Sequence, residues 1–308
     1  VTTQPLDIRY TDSHPEAIAL RDAGYEPIEC AFGGYGSVLG RFEMDHHGAE
    51  SWRVGVAIRA CAEAYGGRKD DPRFVVTGTP DADAVLAIIA LAGLVERAEI
   101  PAGFPELVDL HDRSPIGLDL ANEEHGTLLL AFDQTHLERG QPGFVAAVTR
   151  MIELIRLGVS DEERRKVIGT ERSRLQRASK ALEALVGPDG AVTQQPNLGQ
   201  PAGRASRAPR VAVVRSTVWG FDVWYQWAPV VVSYSERLKK VTLGCPDIDT
   251  AEACFGPGGL LAIYPALGEG WGGREAVGGS PRGVPMTFED ALATAKTVAP
   301  MLRVVAAG

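Results

Sequence analysis

Short apolar runs and longer amphipathic stretches alternate through the first half of the chain. Leu6-Asp7-Ile8-Arg9-Tyr10 reads as a strand, and Ser13 or His14-Pro15 then opens a helix. A second strand is expected around Ile28-Glu29-Cys30-Ala31, with a turn at Gly33-Gly34-Tyr35-Gly36. Leu39 to Met44 leads into Asp45-His46-His47-Gly48, which places the histidines where a strand ends and the chain bends. A helix is expected over Ser51 to Tyr65, and Arg73-Phe74-Val75-Val76-Thr77 is a compact strand broken by Gly78-Thr79-Pro80. Asp81-Ala82-Asp83 then opens an apolar helix running through Leu94. Leu107-Val108-Asp109 reads as another short strand, Val145 to Leu157 as an amphipathic helix, and Asp161 to Leu185 as a charged one.

Beyond this the pattern changes. The stretch 186–209 is rich in Gly, Pro, Gln and Ala and reads as a linker, after which Val211-Ala212-Val213-Val214 and Val230-Val231-Val232 suggest paired strands. The expected fold class is α/β. A catalytic domain built on a largely parallel sheet covers 1–185, and a second, smaller α/β domain covers 210–308.

Composition narrows the functional classes. With 45% hydrophobic and 23% charged residues in 308, the chain can build sizeable cores. A net charge of −9 and a pI near 5.3 argue against a broad duplex-DNA-binding surface. The cysteines Cys30, Cys61, Cys245 and Cys254 form no CxxC pair, which speaks against a zinc knuckle or disulfide scaffold and suits a reducing cytoplasm. No apolar run has the length of a membrane span and Val1 to Pro5 lacks a leader's pattern, so a cytoplasmic protein without a membrane partner is expected.

The candidate chemistry lies at the predicted strand ends. Asp45, His46 and His47, then Asp81 and Asp83, then Asp109, His111 and Asp112 gather hard-metal ligands without thiolates, a set that favours Mn²⁺, Mg²⁺ or Fe. Open α/β sheets place their chemistry outside the carboxyl ends of strands. Each cluster also has a bland alternative: His46-His47 as an exposed strand end, and Asp81 and Asp83 as helix-capping residues. His14, His125 and His136 read as surface or packing residues, with His125 the exception to watch because it follows two glutamates. Gly272, Gly273, Arg274, Gly278, Gly279 and Arg282 form a glycine-rich segment suited to an anionic group, or else a surface loop. The basic residues between Arg164 and Lys180 are interleaved with acids and read as a solvated helix, and Trp219, Trp224 and Trp227 read as core rather than base-stacking groups.

Asp45-His46-His47 and Asp81-Ala82-Asp83 resemble the motifs of the DHH-type phosphoesterase superfamily. The glycine-rich segment resembles that of the DHH-associated domain found after the linker in many members. The resemblance implies a two-domain enzyme with one or two divalent ions, usually Mn²⁺, held by Asp45, His46, His47, Asp81 and Asp83, with Asp109 and Asp112 as further ligands. Two features depart from the family pattern: Asp-x-Asp follows Asp-His-His here, and Thr77 stands where many members have a histidine.

The expected function is hydrolysis of a small phosphorylated substrate, such as a nucleotide, a short single-stranded oligonucleotide or a phosphomonoester, by attack of a metal-activated hydroxide. Asp45, His46, His47 and His111 are the catalytic candidates, and a homodimer is left open. Two alternatives stand beside it: a metal hydrolase acting on a non-phosphate bond, and a metal- or nucleotide-binding module without turnover. His111-Asp112 alone resembles the helical HD phosphohydrolases, which the strand reading disfavours.

Overall fold

The computed structural model describes residues 6–32, 35–46, 54–62, 72–113, 118–135, 137–194, 210–281 and 283–303. The expectations placed on His47, His136, Arg282 and most of the 186–209 linker therefore lie outside the described residues. The protein is mixed α/β and divides into two compact units, Val1–Gly169 and Thr170–Gly308.

In chain order the first unit contains β1 (Asp7–Tyr10), α1 (His14–Asp22), β2 (Glu26–Ile28), β3 (Ala31–Phe32), β4 (Gly36–Ser37), α2 (Val56–Ala62), β5 (Arg73–Val76), α3 (Ala82–Ala92), α4 (Phe104–Arg113), α5 (Gly126–Asp133) and α6 (Gln141–Leu157). It also contains the start of α7 (Asp161–Ala178), within which the division falls. β1, β5 and β2 form a parallel sheet in that order, and Met44 adds a single parallel bridge beside Ile28. The central strand must be apolar on both faces, and Phe74, Val75 and Val76 are fully buried. α3 is buried over almost its whole circumference, as its apolar sequence requires. α6 buries Phe144, Ala147, Val148, Met151, Leu154 and Ile155, the spacing of three and four that fills a helical stripe.

The strand expected at Leu107-Val108-Asp109 is instead the middle of α4. Phe104, Leu107 and Val108 recur at helical spacing and all three are buried. The long charged helix also ends earlier than expected, at Ala178.

The second unit contains β6 (Leu182–Val186), β7 (Val192–Gln194), β8 (Val211–Ser216), α8 (Phe221–Trp224), β9 (Val230–Ser235), β10 (Lys240–Gly244), α9 (Ile248–Phe255), α10 (Tyr264–Leu267), β11 (Gly272–Gly273), β12 (Val277–Gly279) and α11 (Phe288–Val298). Seven strands form one sheet in the order β11-β12-β10-β9-β8-β6-β7, with β8 and β9 parallel and the other pairs antiparallel. Residues alternate between its faces. Val211, Val213, Val230 and Val232 join a core with α9 and α11, while Ala212, Val214 and Val231 join one with Trp224. Because β6 belongs to this sheet, the second unit starts before the expected linker rather than at 210.

Candidate metal centre

The geometry of the site follows from the parallel sheet. Glu29 comes directly after β2, and its backbone N–H donates to Met44 O at 2.8 Å, so Asp45 and His46 leave the sheet beside it. Asp81 and Asp83 follow the neighbouring strand β5. Glu29 has φ 51, in the left-handed region where a residue carrying a Cβ is strained, so the chain turns there instead of extending β2.

His46 is the hub of the cluster. Its Nε2 lies 2.7 Å from Glu29 Oε1, 3.1 Å from Asp112 Oδ2 and 3.8 Å from Asp83 Oδ2. A ring nitrogen carries one proton at most, so it cannot donate to all three oxygens. Ligand atoms of Glu29, His46 and Asp83 lie within 4.8 Å of one another, a span bridged by a cation about 2.1–2.5 Å from each oxygen. Glu29 Oε1 is buried and makes no hydrogen bond of acceptable geometry, which leaves a lone pair directed into the cluster. The adjacent thiol, that of Cys30, is turned to the sheet and donates to Val75 O at 3.2 Å. One imidazole and several carboxylates without sulfur fit a hard divalent cation.

The other acids are fixed by backbone amides. Asp83 Oδ2 accepts from Val56 N at 2.9 Å and Oδ1 from Ala57 N at 2.8 Å, while Asp109 Oδ1 accepts from Gly55 N at 2.5 Å. These acids therefore cap the start of α2, the helix that follows the Asp-His-His segment. A carboxylate has about four acceptor positions, so capping leaves Asp83 lone pairs for a cation. Asp81 caps its own helix by accepting from Ala84 N at 2.9 Å, as its bland reading had it, and also pairs with the Glu29 carboxyl. Asp45 is fully buried beside them.

Crowding acids out of water disfavours their charge. Burial first, and then Asp83, Asp112 and Asp45, hold the Glu29 carboxyl well above the ordinary range. Asp81, whose residue is exposed while its carboxyl faces the cluster, is also raised, by desolvation of that carboxyl and by Glu29 and Asp112. Asp83 is raised by burial, with the amides of Ala57 and Val56 pulling the other way.

The expected site residues thus separate. Asp45, His46, Asp81, Asp83, Asp109 and Asp112 gather at one end of the sheet, but Asp109 and Asp112 arrive on one face of α4, three residues apart, and not at a strand end. His111 departs from them, because adjacent helical positions diverge by about 100°. Its Nε2 lies 3.7 Å from Asp133 Oδ2. Placing His111-Asp112 on a helix removes the strand-based objection to a helical HD-type pair, yet the two side chains serve different neighbours. Thr77 pairs with Asp12, which also accepts from Tyr10 Oη at 2.6 Å. Glu29 is the member that the sequence reading missed.

The remaining candidates have structural partners. Gly273 and Gly278 lie against the Tyr264 ring, where a Cβ on Gly278 would come within 2.1 Å of Oη. That hydroxyl donates to Arg274 O at 2.7 Å. His125 sits 3.0 Å from Ala102 O and edge-on to Phe104, and His14 stacks on Tyr35. Trp224 is core, donating to Ala178 O, whereas Trp219 is half exposed beneath Arg174. Arg174 of the charged helix is held by Glu171 and Asp222.

No protein-family model, curated protein or solved structure matches the chain. Among the described residues no helix is long and apolar enough to cross a membrane.

Proposed function

We propose that the first unit is a metal-dependent hydrolase of the DHH-like phosphoesterase type, acting on a small phosphorylated substrate such as a nucleotide, a short single strand or a phosphomonoester. The observation that carries this reading is the convergence of Glu29, Asp83 and Asp112 oxygens on His46 Nε2 at the carboxyl ends of parallel strands. Glu29, His46 and Asp83 would hold one divalent cation, with Asp112 beside His46 at the rim and Asp45 and Asp81 nearby for a second. Such a cation supplies a lowered water pKa and neutralises charge on a phosphoryl group.

The chain itself supplies orientation. The amides of Gly55, Val56 and Ala57 fix Asp109 and Asp83, and the Glu29 and Asp81 carboxyls pair with each other. Asp112 has 34% of its side chain exposed against 10% for His46, so substrate would approach from the α4 side. Manganese suits the donor set.

The capping duty of Asp83 and Asp109 favours a second reading, in which the carboxylates organise a cation-binding module without turnover. Metal content of the purified chain, paired with phosphate release from a phosphoester panel with and without Mn²⁺, separates the two. Mn²⁺-dependent release lost in His46→Ala supports the hydrolase. Bound cation with no release supports the binding module, and release from amides or carboxylic esters alone points to another hydrolase.

A further inference from the structure

Glu29 belongs to none of the three acid-histidine segments, yet it makes the shortest approach to the hub imidazole. Its carboxylate is more than nine-tenths buried, and Oε1 points at His46 Nε2 from 2.7 Å without hydrogen-bond geometry. The next residue carries the only soft ligand of the segment, and Cys30 donates its S–H to the sheet. The chain thus presents an oxygen and retracts a sulfur at the same strand end.

Resting on the metal-dependent reading above, we infer that Glu29 is a direct metal ligand and the residue that sets the hardness of the site, raising its affinity for a hard divalent cation relative to zinc. With Glu29 in place the group able to share one ion is one nitrogen and two carboxylate oxygens, from Glu29 and Asp83, with Asp112 3.1 Å from the imidazole. Exchanging an oxygen for a second nitrogen moves affinity toward zinc and away from manganese, because imidazole suits the later metals while carboxylate suits Mg²⁺ and Mn²⁺. Geometry makes Glu29 the position for that exchange, since Asp83 is also committed to two backbone amides and Asp112 sits at the exposed rim.

The test is calorimetric titration of the full, metal-stripped chain with Mn²⁺ and with Zn²⁺, comparing wild type, Glu29→Gln and Glu29→His, with melting temperatures in chelator as the fold control. Glutamine keeps the size and shape of the buried side chain, so its fold should hold. Glu29→Gln is expected to weaken Mn²⁺ binding by at least about tenfold, and Glu29→His to raise the ratio of Zn²⁺ to Mn²⁺ affinity by at least about tenfold. Unchanged Mn²⁺ affinity in Glu29→Gln overturns the assignment while leaving the metal-dependent reading intact. Failure of wild type to bind either ion removes both. Should both variants unfold, Glu29→Asp, which keeps the charge but retracts it by one methylene, is expected to lose Mn²⁺ affinity, and wild-type affinity there would equally overturn the assignment.

Discussion

Gly55 sets the tolerance of the whole cluster, because a Cβ there would lie 2.7 Å from Asp109 Oδ1 and 2.9–3.0 Å from both Asp83 oxygens. Those oxygens are fixed by the amides they cap, so the added methyl must displace either the acids or the start of α2. Gly55→Ala is expected to cost about 1–3 kcal/mol in chelator and to weaken cation binding as well. Urea unfolding with matched calorimetry checks this, and a variant that unfolds and binds like wild type would show that the carboxylates are not held there. At this scale the chemistry was half legible. Asp45, His46, Asp81 and Asp83 announce themselves by company and spacing, whereas Glu29 is a single acid between Ile28 and Cys30 and reads as an interruption in a strand. The usable signal was physical: an acid flanked by residues that both bury must find partners or a cation.

Helix α4 shows how a correct set of residues can be read on the wrong element. Leu107-Val108 resembles a short apolar strand in isolation, but Phe104, Leu107 and Val108 carry the three-and-four spacing of a helix, and that period puts Asp109 and Asp112 on a shared face with His111 off it. The glycine-rich hairpin of β11 and β12 is the converse case, where a functional expectation meets a packing explanation. Gly278 lies flush against Tyr264, while the nearest atom to a Cβ on Gly279 is Val241 O at 3.6 Å. Gly278→Ala should therefore destabilise the second unit by about 1–3 kcal/mol, and Gly279→Ala should change its stability by less than about 0.5 kcal/mol. Equal, small stability losses in the two, with equal losses of substrate affinity, would return the segment to the anion-binding role first read from its sequence.

At the scale of the whole molecule, the α/β class was legible in the alternation of elements, and the division of the chain was displaced because composition marks linkers better than sheet membership does. β6 follows directly on a charged helix, and its pairing partner β8 comes only after a Gly- and Pro-rich stretch, so no local pattern joins the two. The buried acids make a global prediction whose sign can be worked out. Glu29 and Asp83, both buried, have raised pKa values in the fold, so above the ordinary carboxylate value of about 4 the fold keeps protons that the unfolded chain has released. The stability these groups allow is present at low pH and is lost as pH rises through their folded pKa values. Acids held below the ordinary range, such as Asp12 and Glu99, are ionised in both states above about pH 5.5 and add no slope there. A divalent cation inverts the trend, because it binds the deprotonated cluster and adds about 2.7 kcal/mol at a free concentration 100 times its Kd. Melting temperatures between about pH 5.5 and 8.5 should thus fall in chelator and hold or rise with Mn²⁺, with the two curves diverging as the buried acids ionise. Parallel curves would mean that Mn²⁺ does not engage the ionised acids, and the cluster would then be a cap on α2 rather than a metal centre.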